Sequence, residues 1–265
     1  MGVVESLEIG DTTLHVDTAG TGQPVLFLHA GVTDSRMWNA QFEGIEGYRL
    51  IRFDMRGYGR SRLGTQGFTN HDDTVTVLDH LGIERAVLVG CSIGANTALQ
   101  VAAAAPERVD GLVLVGADSP GFDPEIDYQS PEWPEAVAAF ETGDLDRVAE
   151  LEAEMWLAGT GRTITDLPTE TVALFIDMDL IALRNEAARD RLDRGQQLQS
   201  LPHVDIKVEV VVGALDIPPL VAAAHHLAAN LGDGAPTVIG DTAHLPPMDR
   251  PGEFNDLLMV FLHSL

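Results

Sequence analysis

Short, mostly apolar runs recur along the chain with helix-length stretches between them, and this rhythm limits the fold more than any other feature. The runs at residues 24–29 (PVLFLH), 49–53, 86–89, 112–115 and 208–212 have the length and β-branched content of strands buried on both faces; residues 237–239 form a shorter one. Strands of that kind belong to parallel sheets with helices packed on either side. Helical patterns at 71–81, 93–105, 219–231 and 251–262 supply those helices. Residues 6–9 and 12–18 alternate around Gly10-Asp11, which predicts an opening hairpin. The expected fold class is therefore α/β, a mostly parallel, doubly wound sheet of about eight strands.

One interval breaks the rhythm. About 90 residues separate the run ending near residue 115 from the one beginning near 206, far more than an ordinary crossover uses. Pro131, Pro134 and Pro168 interrupt it, and helical patterns fall at 135–141, 145–157 and 170–191. The expected organisation is a core domain of residues 1–117 and 201–265 with a helical cap, 118–200, over the C-terminal edge of the sheet. The plainer alternative is a scaffolding insertion without a lid role. At 265 residues, 45% of them hydrophobic, the chain has material for a substantial core.

Composition excludes several partner classes. Forty-one acidic against 16 basic residues give a formal net charge of −25, which should repel nucleic acid and anionic membranes. No run approaches the ~20 apolar residues of a membrane helix. The N-terminal MGVVESLEIGD has neither the basic nor the apolar segment of an export signal, so a cytoplasmic location is expected. Cys91 is the single cysteine, so no internal disulfide can form. Oligomeric state is not set by these features.

The run at 86–89 ends in Gly90-Cys91-Ser92-Ile93-Gly94, followed by an alanine-rich helical stretch. G-x-S-x-G between strand and helix makes a nucleophile elbow, with the serine hydroxyl exposed on a tight turn; the same letters elsewhere would be an ordinary turn. A serine nucleophile needs a base, and the base an orienting carboxylate. Of nine histidines, His244 in DTAHLPP follows the last strand and precedes the terminal helix. Asp216 in VVVGALD directly follows a buried strand; Asp118, after GLVLVGA, is the competing carboxylate. Taken singly, a loop histidine is usually just solvated and an aspartate is a common helix cap. The order Ser, Asp, His, each after a strand, is what links them.

The elbow, the segment Phe53-Asp54-Met55-Arg56-Gly57-Tyr58-Gly59-Arg60-Ser61, the GALD and AHLPPMDRP blocks, and LHAG at residues 28–31 together resemble the α/β-hydrolase superfamily, in the right order and over nearly the whole chain outside the cap. The resemblance implies Ser92 as nucleophile, His244 as general base and Asp216 as its partner. It also implies an oxyanion hole of backbone N–H groups, one from Ile93 and the second from the loop after residues 24–29. That loop reads His29-Ala30-Gly31-Val32 where relatives carry His-Gly-x, so the donor is Gly31 or, in the other register, Val32; Gly31 is preferred. His29 and Arg56 are expected to brace loops, and Cys91 to pack away from the reaction centre. Adjacent helical positions point ~100° apart, so His225-His226 makes no metal site, and neither metal nor cofactor is implied.

Serine at the elbow argues against dehalogenase and epoxide-hydrolase relatives, which use aspartate there. The substrate expected is a small molecule, a carboxylic ester or lactone. C–C bond hydrolases and haloperoxidase-like perhydrolases keep the same triad and stay as alternatives, the former disfavoured because no asparagine-bearing oxyanion loop is evident at 29–34. A non-catalytic ligand-binding protein on this fold is the remaining alternative.

Overall fold

The computed structural model describes residues 3–265; Met1 and Gly2, the start of the stretch read for a targeting signal, lie outside the described residues. Eight strands form one sheet: β1 (Val3–Ile9), β2 (Thr12–Gly20), β3 (Gln23–Leu28), β4 (Tyr48–Phe53), β5 (Ala86–Cys91), β6 (Val109–Val115), β7 (Lys207–Gly213) and β8 (Thr237–Ile239). Their spatial order is β1-β2-β4-β3-β5-β6-β7-β8. The β1–β2 and β2–β4 pairs are antiparallel and the other five parallel, as the sequence predicts.

Alternate side chains of each central strand enter opposite layers, the period-2 consequence of the pleat. Leu26 and Leu28 of β3, Leu88 of β5 and Leu112 and Leu114 of β6 share one core layer. Val25 and Phe27, Val87 and Val89, and Val113 and Val115 share the other. Both faces are covered, so these strands are apolar throughout instead of alternating with polar residues. The covering helices are α1 (Asn39–Gly44), α2 (Asn70–His80), α3 (Ile93–Ala104), and, after the insertion, α7 (Pro218–Leu231), α8 (Pro246–Asp249) and α9 (Pro251–Leu262).

The insertion is helical: α4 (Trp133–Thr142), α5 (Leu145–Glu152) and α6 (Thr169–Leu192). The helix expected over 145–157 is not continuous. After Glu152 it widens into a π-helical segment, Ala153–Ala158, which ends at Gly159 with φ +76°. Ala153, Leu157, Phe175 and Met178 join the same core layer as Val25 and Phe27, so the insertion is packed into the body of the molecule. Among the described residues no helix is long and apolar enough to cross a membrane.

Candidate active site

Ser92 directly follows β5 and caps α3 with φ +54° and ψ −118°, a positive-φ conformation rare for a residue with a Cβ. Two facts of backbone packing enforce the turn. A Cβ on Gly90 would strike the carbonyl of Gly94, and one on Gly94 would strike the carbonyls of Leu28 and His29. The serine N–H donates to Val115 O at 2.8 Å, fastening the turn to β6. Glycine at 90 and 94 is thus what lets this strand, turn and helix close so tightly.

His244 and Asp216 are brought together by the ends of β8 and β7. His244 Nδ1 lies 2.9 Å from Asp216 Oδ2, with side chains 3% and 1% exposed. The second carboxylate oxygen accepts from Ile217 N–H at 2.8 Å, so Asp216 is held at both oxygens and its position fixes the imidazole. Burial is the largest influence on His244 and disfavours its proton. The charge and hydrogen bond of Asp216, with the charge of Asp118, outweigh it and leave the pKa raised above 6.5. Asp118 instead accepts from Asn96 Nδ2 at 3.0 Å and makes no bond to the imidazole.

Ser92 and His244 line one cleft together with Gly31, Val32, Gly116, Asp118, Trp133, Glu152 and Trp156. Ile93 lies beside it: a Cβ built on Gly31 would sit 3.8 Å from Ile93 Cγ2. Residues 30–33 form a turn closed by Thr33 N–H to Ala30 O at 3.2 Å, and the N–H groups of Gly31 and Val32 have no protein acceptor among the described residues. As first residue of α3, Ile93 has no intrahelical acceptor for its own N–H. Free backbone donors thus occur on the 30–33 turn, which lines the cleft with Ser92, and at the start of α3, next to the serine in sequence.

His29 is fully buried behind that turn. Its Nδ1 donates to Ala30 O at 2.8 Å and its Nε2 accepts from Met55 N–H at 3.0 Å. Burial pushes its pKa down, and the neutral ring joins the turn to the 54–61 loop. Arg56 is likewise internal, forked onto Asp73 with two contacts of 2.7 Å. Cys91 is buried with Sγ toward His244 O at 3.6 Å, and burial raises its thiol well above 9.0, so it remains protonated.

Other residues complete the site, and of these Gly116, Arg162, Glu152 and Asp179 belong to no motif in the sequence. Gly116, at φ +56°, lies under the imidazole; a Cβ there would come within 2.8 Å of His244 Nδ1 and Cε1. Trp156, on the π-helical segment, accepts from His244 N–H at 3.1 Å and sets its ring 5.0 Å from the imidazole. Arg162 donates to Leu157 O, Ala158 O and Asp241 O and pairs with Asp249 at 2.7 Å, joining that segment to both sides of the histidine loop. Glu152 and Asp179 stand together within the insertion. Burial raises both carboxyls, and their mutual charge adds to this for Asp179. Among the bulky aromatic residues, Trp133 and Trp156 line the cleft, whereas Trp38 and Phe175 are fully buried in the core.

The sequence profile of the alpha/beta hydrolase fold matches residues 23–157. The chain is 34% identical over 122 residues to a 2-hydroxy-6-oxo-6-phenylhexa-2,4-dienoate hydrolase of Comamonas testosteroni, a match spanning 43% of each chain and so less than half of that relative. It is 28% identical over 262 residues to a pimeloyl-(acyl-carrier protein) methyl ester esterase of Pectobacterium carotovorum, covering 95% of this chain and 99% of that one. Among solved structures, Est816, described as an N-acyl homoserine lactone degrading enzyme, superposes with a TM-score of 0.74 at 27% identity, covering 97% of this chain and all of that one. A thermophilic esterase from Thermogutta terrifontis superposes with a TM-score of 0.78 at 24% identity, over 99% of this chain and 98% of that one, a likeness of fold.

Proposed function

The chain belongs to the α/β-hydrolase fold family, and from that premise we propose that it is a serine hydrolase cleaving a small carboxylic ester or lactone through an acyl-enzyme on Ser92. The observation that carries the reading is the buried His244–Asp216 pair, 2.9 Å apart, opening on the same cleft as a serine held at φ +54°. In this mechanism Ser92 Oγ attacks the ester carbonyl while His244 Nε2 takes its proton. Asp216 holds the Nδ1–H tautomer and stabilises the imidazolium. The carbonyl oxygen becomes an oxyanion facing the N–H of Ile93 and that of Gly31, with Val32 the neighbouring donor. Collapse breaks the C–O bond to the alcohol, which leaves with the proton from His244. Water, deprotonated by the same nitrogen, attacks the acyl-enzyme and releases the acid; a lactone gives one hydroxy acid.

A C–C bond hydrolase on the same three residues is the second reading, and the 34% identity to the Comamonas testosteroni enzyme favours it. A panel of p-nitrophenyl esters, lactones and a vinylogous 1,5-diketone separates the two. The expected result is turnover of esters or lactones, abolished in Ser92→Ala, with a fluorophosphonate adduct on the Ser92 peptide by mass spectrometry. Because the base must be neutral and its pKa is raised, kcat/KM should rise with pH to a midpoint above 6.5. Turnover of the diketone alone selects the C–C reading, and adduct formation in Ser92→Ala removes Ser92 as nucleophile.

A further inference from the structure

A second cavity, of about 320 Å³, lies beside the cleft, within the size range of ligand pockets. Asp118, Pro219 and Leu220 line both spaces. Its floor is the α3 face bearing Asn96, Leu99 and Gln100; its roof is the 118–124 strap, where the chain leaves the core for the insertion; its far wall is Gln197 and Leu198, on the returning segment.

The strap is pinned so that this space stays open. Ser119 Oγ is 2.7 Å from His226 Nδ1 on α7, and the Phe122 ring stacks on the same imidazole with centroids 4.2 Å apart. A Cβ on Gly121 would meet Gln199 O at 2.6 Å, so the strap also rests against the returning segment. Gln100 Nε2 ties α3 to that segment through Gln196 O at 3.1 Å. Three elements thus hold one another around the space and fix its walls.

The lining is mixed: leucine, proline, alanine and phenylalanine carbon, amide groups of asparagine and glutamine, and a single charge, Asp118, which also lines the cleft. Asn96 gives its amide N–H to Asp118 and keeps Oδ1 buried without a donor among the described residues. An uncharged, largely apolar chain matches such a surface; a carboxylate or phosphate beside Asp118 does not.

We propose that this side cavity is the second arm of the substrate site and receives a medium-length, uncharged acyl or alkoxy chain of the ester attacked by Ser92. The inference rests on the ester reading above and deepens it, since cleft and side cavity together accept a longer substrate than the cleft alone.

Filling the cavity from two sides tests this. Ala223→Leu adds bulk from α7 and Leu198→Trp from the irregular returning segment, the latter with less demand on helix packing. Each is compared with wild type on p-nitrophenyl acetate against octanoate, and on ethyl acetate against octyl acetate, with folding checked by circular dichroism. In at least one series the long-to-short ratio of kcat/KM should fall about tenfold or more, the scale on which a pocket discriminates apolar bulk. Ratios that stay with wild type in both series, in a folded variant, overturn the proposal. Failure of the ester reading is separately visible as no turnover of any ester by wild type. Calorimetry with 1-octanol then reads the cavity directly: binding weakened by Leu198→Trp supports the arm, and no binding, or equal binding in both proteins, overturns it.

Discussion

Gly116 shows how much a single absent methyl decides at this site. Its φ of +56° is strained for any residue with a side chain, and the position a Cβ would take is within 2.8 Å of the His244 ring. Alanine there must either move the backbone at the end of β6 or push the imidazole away from Asp216. General base catalysis tolerates neither, because ~1 Å of misplacement costs roughly a hundredfold in rate. Gly116→Ala is therefore expected to lower kcat by about 10- to 100-fold while far-ultraviolet circular dichroism stays native. A variant with wild-type kcat would show that the imidazole is not braced from below. Ser92 carries a related cost: its positive-φ backbone stores on the order of 1–3 kcal/mol, held in place by packing of the flanking glycines.

Elements divide by how local their cause is. The buried strands were legible because a run such as Ala86–Cys91 is apolar on both faces and bounded by turn residues, and α3 and α9 follow from continuous apolar periodicity. That Asp216 and His244 meet, and that Ser92 opens on the same cleft, follows from each lying within five residues past a strand, since strand ends converge at one sheet edge. The brief helix α1 and the 3-10 turn before it, Ser35–Trp38, were not, since neither reaches the length at which periodicity shows. The spacing predicts ordinary helix where the π-helical segment lies, because its widening has no local signature; Trp156 and Arg162 meet the histidine loop through contacts that sequence spacing does not encode. The Glu152–Asp179 pair is similarly invisible, joining α5 to α6 across the insertion. It has a measurable consequence. Burial raises both carboxyl pKa values, with Glu186 adding to the repulsion and Arg189 opposing it at Asp179. The folded state then holds protons that the unfolded chain releases above about pH 4, so stability is lost as pH rises toward the folded pKa values. Asp179→Asn keeps the shape, offers Glu152 an amide donor and removes one charge. Its thermal midpoint should exceed wild type at pH 8, with the difference shrinking toward pH 5, where wild type is itself protonated. An equal difference at both pH values would mean that the pair does not titrate in the folded protein.

At the scale of the whole molecule the governing quantity is the net charge of −25. The 16 lysines and arginines are already counted in that figure, and several neutralise a carboxylate beside them: Arg56 at Asp73, Arg162 at Asp249, Arg36 at Asp34 and Asp177. What remains is a surface of carboxylates such as Glu43, Asp146 and Asp256, whose mutual repulsion acts on the compact state more than on the expanded chain. That repulsion is long-ranged at low salt, where the Debye length is about 30 Å at 0.01 M, and is nearly gone at 1 M, where it is about 3 Å. Raising NaCl between those limits at pH 8 should therefore raise the thermal midpoint by about 2 °C or more, the shift that roughly 1 kcal/mol produces in a domain of this order. Salting-out of apolar surface would also stabilise, but it does not depend on protonation. Scans at pH 5, closer to the isoelectric point of about 4.4, separate the two: the salt response should shrink there if charge repulsion causes it. A response of the same size at both pH values, or none at pH 8, would remove self-repulsion as a determinant of this protein's stability.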